Sequence, residues 1–445
     1  MNKYSELIKK WELILDHVVL FNGEVYELSI SEPATEEELI LKEKELGMKI
    51  PDSFRDVLLS FSKRVNFRWH MPDKVNIPKE FGGIFSAELS WDIEYFANLN
   101  ELAESIEDDE IEDCGLKDKL QISETGNGDI ITLDIEGKVI YWDHETCETT
   151  YLAGNFMEYL YKMTELYGIG KEIWQYEFCI DESGINIENS GVKRWQEWFD
   201  TFVFISQKEN RKTVYDLIKY VEYTGCVTED ILNEFEQYKK EDVLKIIKTK
   251  IDKASEKEKE VFYEITACYL GAFAKEWVEE LWEELSEIPR TRSYLTIKCL
   301  KKEGIEKVIK YVEEVFKKEG IRDYIAKEHL AFAEDELVIK WLKQYISEKT
   351  NKSEWYYLYA MSKPSWETIE EWINEGGRYK MVALNALEYM SNRNPKRAKI
   401  YKIVKPYSKE RMVNFLEEAK NKEILESKKT IYNLIVEKLD MITAE

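Results

Sequence analysis

Two short stretches narrow the folds open to this chain more than any other feature of its 445 residues. The first, Thr35 to Phe61 (TEEELILKEKELGMKIPDSFRDVLLSF), reads as helix, break, helix. Thr35 suits an N-cap and Glu38 its reciprocal partner in a capping box, with Glu36 and Glu37 at the positive end of the helix. Leu39, Ile40, Glu43 and Leu46 fall on one face at helical spacing, and Gly47 supplies a left-handed stop. Pro51 then opens a second helix, in which Phe54, Val57, Leu58 and Phe61 form the apolar stripe.

The second stretch, Leu120 to Glu145 (LQISETGNGDIITLDIEGKVIYWDHE), reads as strand, loop, hairpin. Gly126, Asn127 and Gly128 are expected to form a flexible loop, and the run from Ile130 places Ile131, Leu133 and Ile135 on one face of a strand. Glu136 and Gly137 make the turn, from which Val139 to Trp142 return antiparallel. The pattern is a meander and not a nucleotide-binding fingerprint.

Taken in order, the capped helix, "LG", "IP", the aromatic helix, "TGNGD", "LD", the turn and "YWDHE" resemble the SUKH superfamily, also described as the cell-wall assembly regulator family. Phe156, Leu160 and Met163 resemble the short helix that closes such domains. Residues Ile173 to Trp198, with Trp174, Phe178, Trp195 and Trp198, resemble a tail carried by longer members. The likeness covers about the first 200 residues, an ordinary length for one domain. It implies an α+β domain, an antiparallel sheet with flanking helices, in which Gly47, Pro51, Gly126, Gly128, Asp129, Leu133, Asp134 and His144 serve mainly to keep the fold. It also implies protein recognition. Bacterial members are regarded as immunity proteins that bind polymorphic toxins, many of them nucleases, and fungal relatives regulate cell-wall synthesis through partner proteins.

The rest of the chain reads as helix. Apolar residues recur at three and four in Val214, Leu217, Ile218 and Val221, in Val278, Leu281, Trp282 and Leu285, and in Val308, Val312 and Phe316. Breaks are expected at Gly225, Gly271, Pro289, Gly304, Gly320, Pro364, Gly376 with Gly377, Pro395 and Pro406. Helices of about 12 to 16 residues with short loops fit HEAT-like helical hairpins or an irregular bundle. The expected organisation is a SUKH-like α+β domain over 1–170, an aromatic-rich tail over 171–205 and an all-α domain over 206–445.

Charge separates the halves. The formal net charge is -25, and residues 1–200 carry about 19 Lys and Arg against about 43 Asp and Glu, whereas the remainder is near balance. The densest acidic run is Glu101 to Asp113. It reads either as a solvated helix end or as a docking surface for a basic partner, since a single-signed field speeds association and rejects like charge. A nuclease needs a basic cleft to hold phosphates, which an acidic inhibitor can occupy with aromatic anchors at the centre. The contact candidates are Trp91, Asp92, Glu94, Glu107, Asp108, Asp109, Glu110, Trp142 and Asp143. The near-neutral helical half lacks the basic stripe that nucleic acid favours.

Chemistry has few footholds. The histidines are His17, His70, His144 and His329, and no nucleophile elbow, P-loop or HExxH is present. Asp129, Asp134, Asp143, His144 and Glu145 cluster in sequence around the hairpin, but Asp at loop and strand ends commonly accepts backbone hydrogen bonds. His144 and Cys147 stand three apart, without the second pair that a closed zinc site needs. No catalytic residue, metal or cofactor is expected. The six scattered cysteines suit free thiols, and no apolar run approaches the roughly 20 residues of a membrane span. The sequence therefore points to a cytoplasmic, non-catalytic immunity protein against a basic toxin domain, with no nucleic acid or membrane partner. The alternative is a regulatory scaffold that binds client proteins through the helical half.

Overall fold

The computed structural model of the protein describes residues 3–106, 114–346, 353–391, 403–404 and 406–443. Its chain divides into two compact units, Met1–Cys226 and Val227–Glu445.

In the first unit, α1 (Lys3–Leu20), β1 (Glu24–Val25) and β2 (Ser29–Ile30) precede the helix pair α2 (Glu36–Leu46) and α3 (Asp52–Ser60). The local signals act as their chemistry dictates. Thr35 and Glu38 form the reciprocal capping box, worth about 1 kcal/mol, and Gly47 stops α2 at φ 65°. Pro51 sits at the N-cap of α3, and Phe54, Val57, Leu58 and Phe61 are buried. Ile40 departs from the expected face. It is 56% exposed, and Lys42 is buried in its stead, because the ammonium finds Glu45 Oε1 at 2.8 Å and the Glu94 carbonyl at 3.3 Å.

Strands β3 (Arg64–His70) and β4 (Ser86–Asp92) form an antiparallel ladder, with β1 and β2 on the far edge of β3. Alternation sends Val65, Phe67, Trp69, Ala87, Leu89 and Trp91 inward. Against that face pack Trp11 of α1, whose indole donates to Thr164 Oγ1 at 2.9 Å, and Phe156, Leu160 and Met163 of α5 (Phe156–Glu165). Each large buried side chain contributes about 1.5–3 kcal/mol.

A second sheet runs β5 (Ala97–Asn98), β6 (Leu120–Glu124), β7 (Ile130–Leu133), β8 (Val139–Trp142) and β9 (Thr149–Ala153) in sequence order, a meander. All of β7 is buried, because a satellite core of Leu99, Ala103, Cys114, Leu116, Ile130 and Trp142 under α4 (Asn100–Ile106) covers its other face. β7 stops at Leu133, and Ile135 is 76% exposed at the turn. The reason is Asp134, whose carboxylate accepts the amides of Glu136 (3.0 Å) and Lys138 (2.8 Å) and so ends the strand. The GNG loop is likewise tightly bonded and not flexible: Thr125 N donates to Asp129 O at 2.8 Å, and Asp129 N to Thr125 Oγ1 at 2.9 Å.

Past the meander, β10 (Ile180–Asp181), β11 (Gly184–Ile185), α6 (Ser190–Ser206) and α7 (Val214–Thr224) complete the unit. Trp195 is fully buried and its indole donates to Leu166 O, while Phe202 of α6 stacks on Phe21. Tyr223 of α7 stacks on Trp198 and accepts the Asn76 amide through its carbonyl.

The second unit is helical among the described residues: α8 (Glu229–Phe235), α9 (Lys240–Ile251), α10 (Glu256–Ile265), α11 (Lys275–Glu283), α12 (Arg290–Leu300), α13 (Lys302–Glu319), α14 (Asp323–Leu330), α15 (Glu336–Leu342), α16 (Ser353–Met361), α17 (Trp366–Glu375), α18 (Gly377–Ser391), α19 (Lys409–Asn421), α20 (Glu426–Glu437) and α21 (Leu439–Thr443). Even-numbered helices from α10 to α18 form a row, each packed on the next, with intervening helices such as α11, α13 and α17 packed beside them. Ion pairs tie hairpin to hairpin at matching offsets, including Lys275–Glu303 and Lys343–Glu371, both 2.8 Å. This is an all-α unit of stacked hairpins. Gly304 is no break. It lies inside α13, where a Cβ would collide with the Thr296 carbonyl of α12, so the residue permits two helices to meet. Leu285, expected on a helix face, lies beyond the end of α11 and is 42% exposed. Pro395 falls outside the described residues.

Candidate functional site

The outer face of the β3–β4 ladder is polar throughout. Arg64, Asn66, Arg68 and His70 stand opposite Asp92, Ser90, Glu88 and Ser86 in register. Directly facing residues carry opposite charge, with Arg64 Nε 2.5 Å from Asp92 Oδ2 and Arg68 Nη2 2.7 Å from Glu88 Oε2. Such cross-strand pairs each add a few tenths of a kcal/mol to about 1 kcal/mol.

Where β4 ends, the Asp92 carboxylate accepts the Glu94 amide at 3.1 Å and caps a single 3-10 turn, Ile93–Tyr95. The turn carries its side chains outward: Tyr95 is 74% exposed and Glu94 is exposed. Phe96, 4% exposed, anchors the turn from below.

This ridge separates two grooves. One, of about 490 Å³, lies between the β3–β4 ladder and β6 and is lined by Arg64, Asn66, Ser90, Asp92, Tyr95, Gln121, Ser123 and Glu124. The other, of about 360 Å³, lies toward α2 and is lined by Glu38, Leu41, Lys42, Glu45, Lys63, Ile93 and Glu94. Leu41 is 67% exposed there. The Lys63 ammonium and the Thr35 amide hold the Glu38 carboxyl down to about 2. The ridge thus offers an aromatic and an aliphatic side chain framed by ionised carboxylates.

Lys171 closes one end of the larger groove. Its ammonium, on a side chain 7% exposed, meets Glu88 Oε1 at 2.7 Å and donates to Glu124 O at 3.2 Å. Burial disfavours both charges and holds the lysine below its usual value. The same desolvation acts to raise the Glu88 carboxyl, but Lys171 and Arg68 outweigh it and leave that group lowered.

The hairpin cluster has different chemistry. Asp129 Oδ1 accepts the His144 amide at 3.0 Å and faces His144 Nδ1 at 2.7 Å; Oδ2 accepts Asn127 Nδ2 at 2.9 Å and the Tyr141 hydroxyl. Burial acts to raise the Asp129 carboxyl, yet these donors together lower it, and in return Asp129 raises His144. Asp143 lies within ligand distance of both, and its Oδ1 accepts the amides of Glu145 (2.8 Å) and Thr146 (2.9 Å). Donors already surround these carboxylates, the arrangement of a clasp that pins the 125–129 loop to the β8 turn.

Trp91, Asp92 and Glu94 are brought together at the ridge, but Trp91 points inward, 3% exposed, and its indole donates to Ser62 O. Trp142 is also buried and donates to Cys114 O, with Asp143 following it at the end of β8. Neither tryptophan presents its ring to solvent. Glu107, Asp108, Asp109 and Glu110 lie outside the described residues. The ridge adds Tyr95, and α2 beside it adds Leu41, both of which the sequence reading missed. The cleft residues Arg64, Asn66 and Ser90 had the period-two alternation of RVNFRWH and SAELSWD as their signal.

No helix among the described residues is long and apolar enough to cross a membrane. Comparison with curated proteins gives no match, and comparison with solved structures gives none. The model of the SMI1 / KNR4 family (SUKH-1) matches residues 33–162, a span that begins just before the α2 cap, takes in the ridge, both grooves' strands and the meander, and ends within α5. The likeness to the SMI1 / KNR4 family (SUKH-1) thus covers residues 33–162 of this chain, and a helical C-terminal half follows.

Proposed function

We propose that the protein is a non-catalytic binder that neutralises a cationic toxin domain, a nuclease in the leading case, by covering its active site with the Ile93–Tyr95 ridge. SUKH family membership is consistent with a protein-binding or immunity role. The observation that carries the reading further is the ridge itself: Tyr95 and Leu41 are exposed among Glu38, Glu45 and Glu94 on a unit rich in carboxylates. An exposed aromatic anchor on an acidic unit is the arrangement that gives both affinity and steering toward a basic partner. The protein works as a plug would, and the reading needs no step of catalysis.

Co-expression with a basic toxin domain taken from a neighbouring gene for a secreted protein tests the proposal. Survival of the host and a stoichiometric complex on size exclusion are expected. Unchanged killing with no complex removes the reading for that pair.

A second reading, a scaffold whose helical unit binds a client, is favoured by the row of stacked hairpins, which in such architectures offers an extended surface. Deleting the helical unit then abolishes client capture while leaving toxin binding intact.

A further inference from the structure

The outer face of the β3–β4 ladder holds hydrogen-bonding groups that the fold does not use, and they gather in one place. The groove of about 490 Å³ lies over that face. Alternation turns Val65, Trp91 and Ile122 into the core and leaves Asn66, Ser90, Gln121 and Ser123 toward the groove. Asn66, Gln121 and Ser123 are half-buried, yet none of their side chains hydrogen-bonds to another described residue. Other amide side chains of this unit are engaged: Asn98 Nδ2 donates to Leu46 O and Gln175 Nε2 to Gly83 O, both at 3.0 Å. A half-buried polar group without a protein partner is one that water or a ligand must satisfy.

Three properties of the groove select its ligand. Its walls carry two cations, Arg64 and Lys171, and two carboxylates, Asp92 and Glu124, so neither sign of charge is favoured. Both cations are already paired, Arg64 with Asp92 at 2.5 Å and Lys171 with Glu88 at 2.7 Å, and a charged ligand gains only by breaking a pair. Each unused amide offers a donor and an acceptor, and the Ser123 hydroxyl serves as either, which suits a ligand whose own groups both donate and accept, as hydroxyls do. Tyr95, 74% exposed at the rim, presents an electron-rich ring face that attracts the polarised C–H bonds of a saturated ring.

We infer that the groove binds a neutral saccharide of one or two rings, stacked on Tyr95 and hydrogen-bonded through its hydroxyls to Asn66, Gln121 and Ser123. The Asp92 and Glu124 carboxylates accept from further hydroxyls, and such charge-assisted bonds are the stronger kind. The volume falls within the range of small-molecule sites. One side of a sugar in a groove stays in water, so binding is weak, with a Kd of about 1 mM. This site stands apart from the docking reading above and shares Tyr95 with it.

Cellobiose and maltose are the probes, each titrated into the perdeuterated, nitrogen-15-labelled full chain. Saturable shifts of the Asn66 and Gln121 side-chain amides are expected with at least one of them. Sorbitol, which has the hydroxyls without a ring face, and glucuronate, which adds a charge, should bind about fivefold more weakly or worse. Tyr95→Ala and Gln121→Ala should each weaken binding about fivefold, the loss of one stacking contact or one hydrogen bond. If Gln121→Ala fails to fold, as a urea melt would reveal, Tyr95→Ala still decides, since its ring is mostly solvated. No saturable shift of those amides at about 50 mM of either sugar overturns the inference. Sorbitol or glucuronate binding as tightly as the sugars, or unchanged affinity in Tyr95→Ala, overturns it too. If a basic toxin domain binds while neither sugar does, docking stands and the saccharide site fails. If a sugar binds and no toxin domain does, the saccharide site stands and the immunity reading fails.

Discussion

Arg64 and Asp92 face each other across the β3–β4 ladder at 2.5 Å, at the point where the ladder gives way to the exposed turn. Arg64 also reaches Glu94 at 3.4 Å, so one cation partly neutralises two carboxylates of the ridge. Arg64 is 48% exposed, and a pair of this exposure is worth about 1 kcal/mol or less. Arg64→Ala should therefore lower stability by under about 1 kcal/mol in a urea melt. At low salt it should speed association with a basic partner, and stopped-flow measurements across a salt series check this.

Tyr95→Ala should leave the urea midpoint unchanged, because the ring is mostly solvated. It should nevertheless weaken partner binding by about 2 kcal/mol, the lower bound of a hot spot. Glu94→Lys should instead act mainly on the association rate, with an effect that fades as salt is raised. Calorimetry separates the first effect and stopped-flow the second.

His144 and His329 should give opposite pH signatures. Asp129 raises the folded-state value of His144 above the ordinary 6.5. Its contribution is therefore complete below that value and is lost as pH rises through the raised one. Burial lowers His329, whose Nδ1 lies 2.8 Å from Ser293 Oγ. Its contribution is complete above 6.5 and declines as pH falls toward the lowered value. Across the pH range around 6.5, the stability lost in His144→Gln should thus be greatest on the acid side and fall as pH rises through the raised value, and that in His329→Gln should show the reverse. Urea midpoints over this range decide.

Gly304→Ala tests whether α13 owes its place to a small residue. Helix propensity alone favours alanine by about 1 kcal/mol. The collision with the Thr296 carbonyl predicts the opposite sign, a loss of about 2 kcal/mol. Gly320→Ala, where φ is 84° but space is open, should cost about 1 kcal/mol from backbone strain. Chemical denaturation of the full chain, followed through its second unit, reads both.

Removing the lysine that closes the larger groove should be costly. Lys171→Met leaves Glu88 with Arg68 and the Ser90 hydroxyl, and strips Glu124 O of its donor. The expected loss is roughly 2 kcal/mol, below the figure for a fully buried pair because Arg68 remains. A melt at neutral pH reads it, and the deficit should shrink in acid as Glu88 takes up its proton.

The sequence was legible wherever the determining interactions are local. The Thr35 box, the Gly47 stop and the stripe from Phe54 to Phe61 act within one or two helical turns. The meander could likewise be read from its alternation and its Gly137 turn. Ile40 and Ile135 misled because an apolar residue on the right period does not say which face meets the core, and Asp134 and Lys42 decided that through bonds made in space. Trp91 and Trp142 looked like anchors because acids follow them, but their indoles find Ser62 and Cys114, distant partners that no spacing rule supplies.

In the second unit each even-numbered helix from α10 to α18 touches its near neighbours in the row. Low contact order is the consequence. Each hairpin can form before the next arrives, so the unit is suited to assemble hairpin by hairpin, and its loss of structure should begin as fraying at a terminal hairpin and travel along the row.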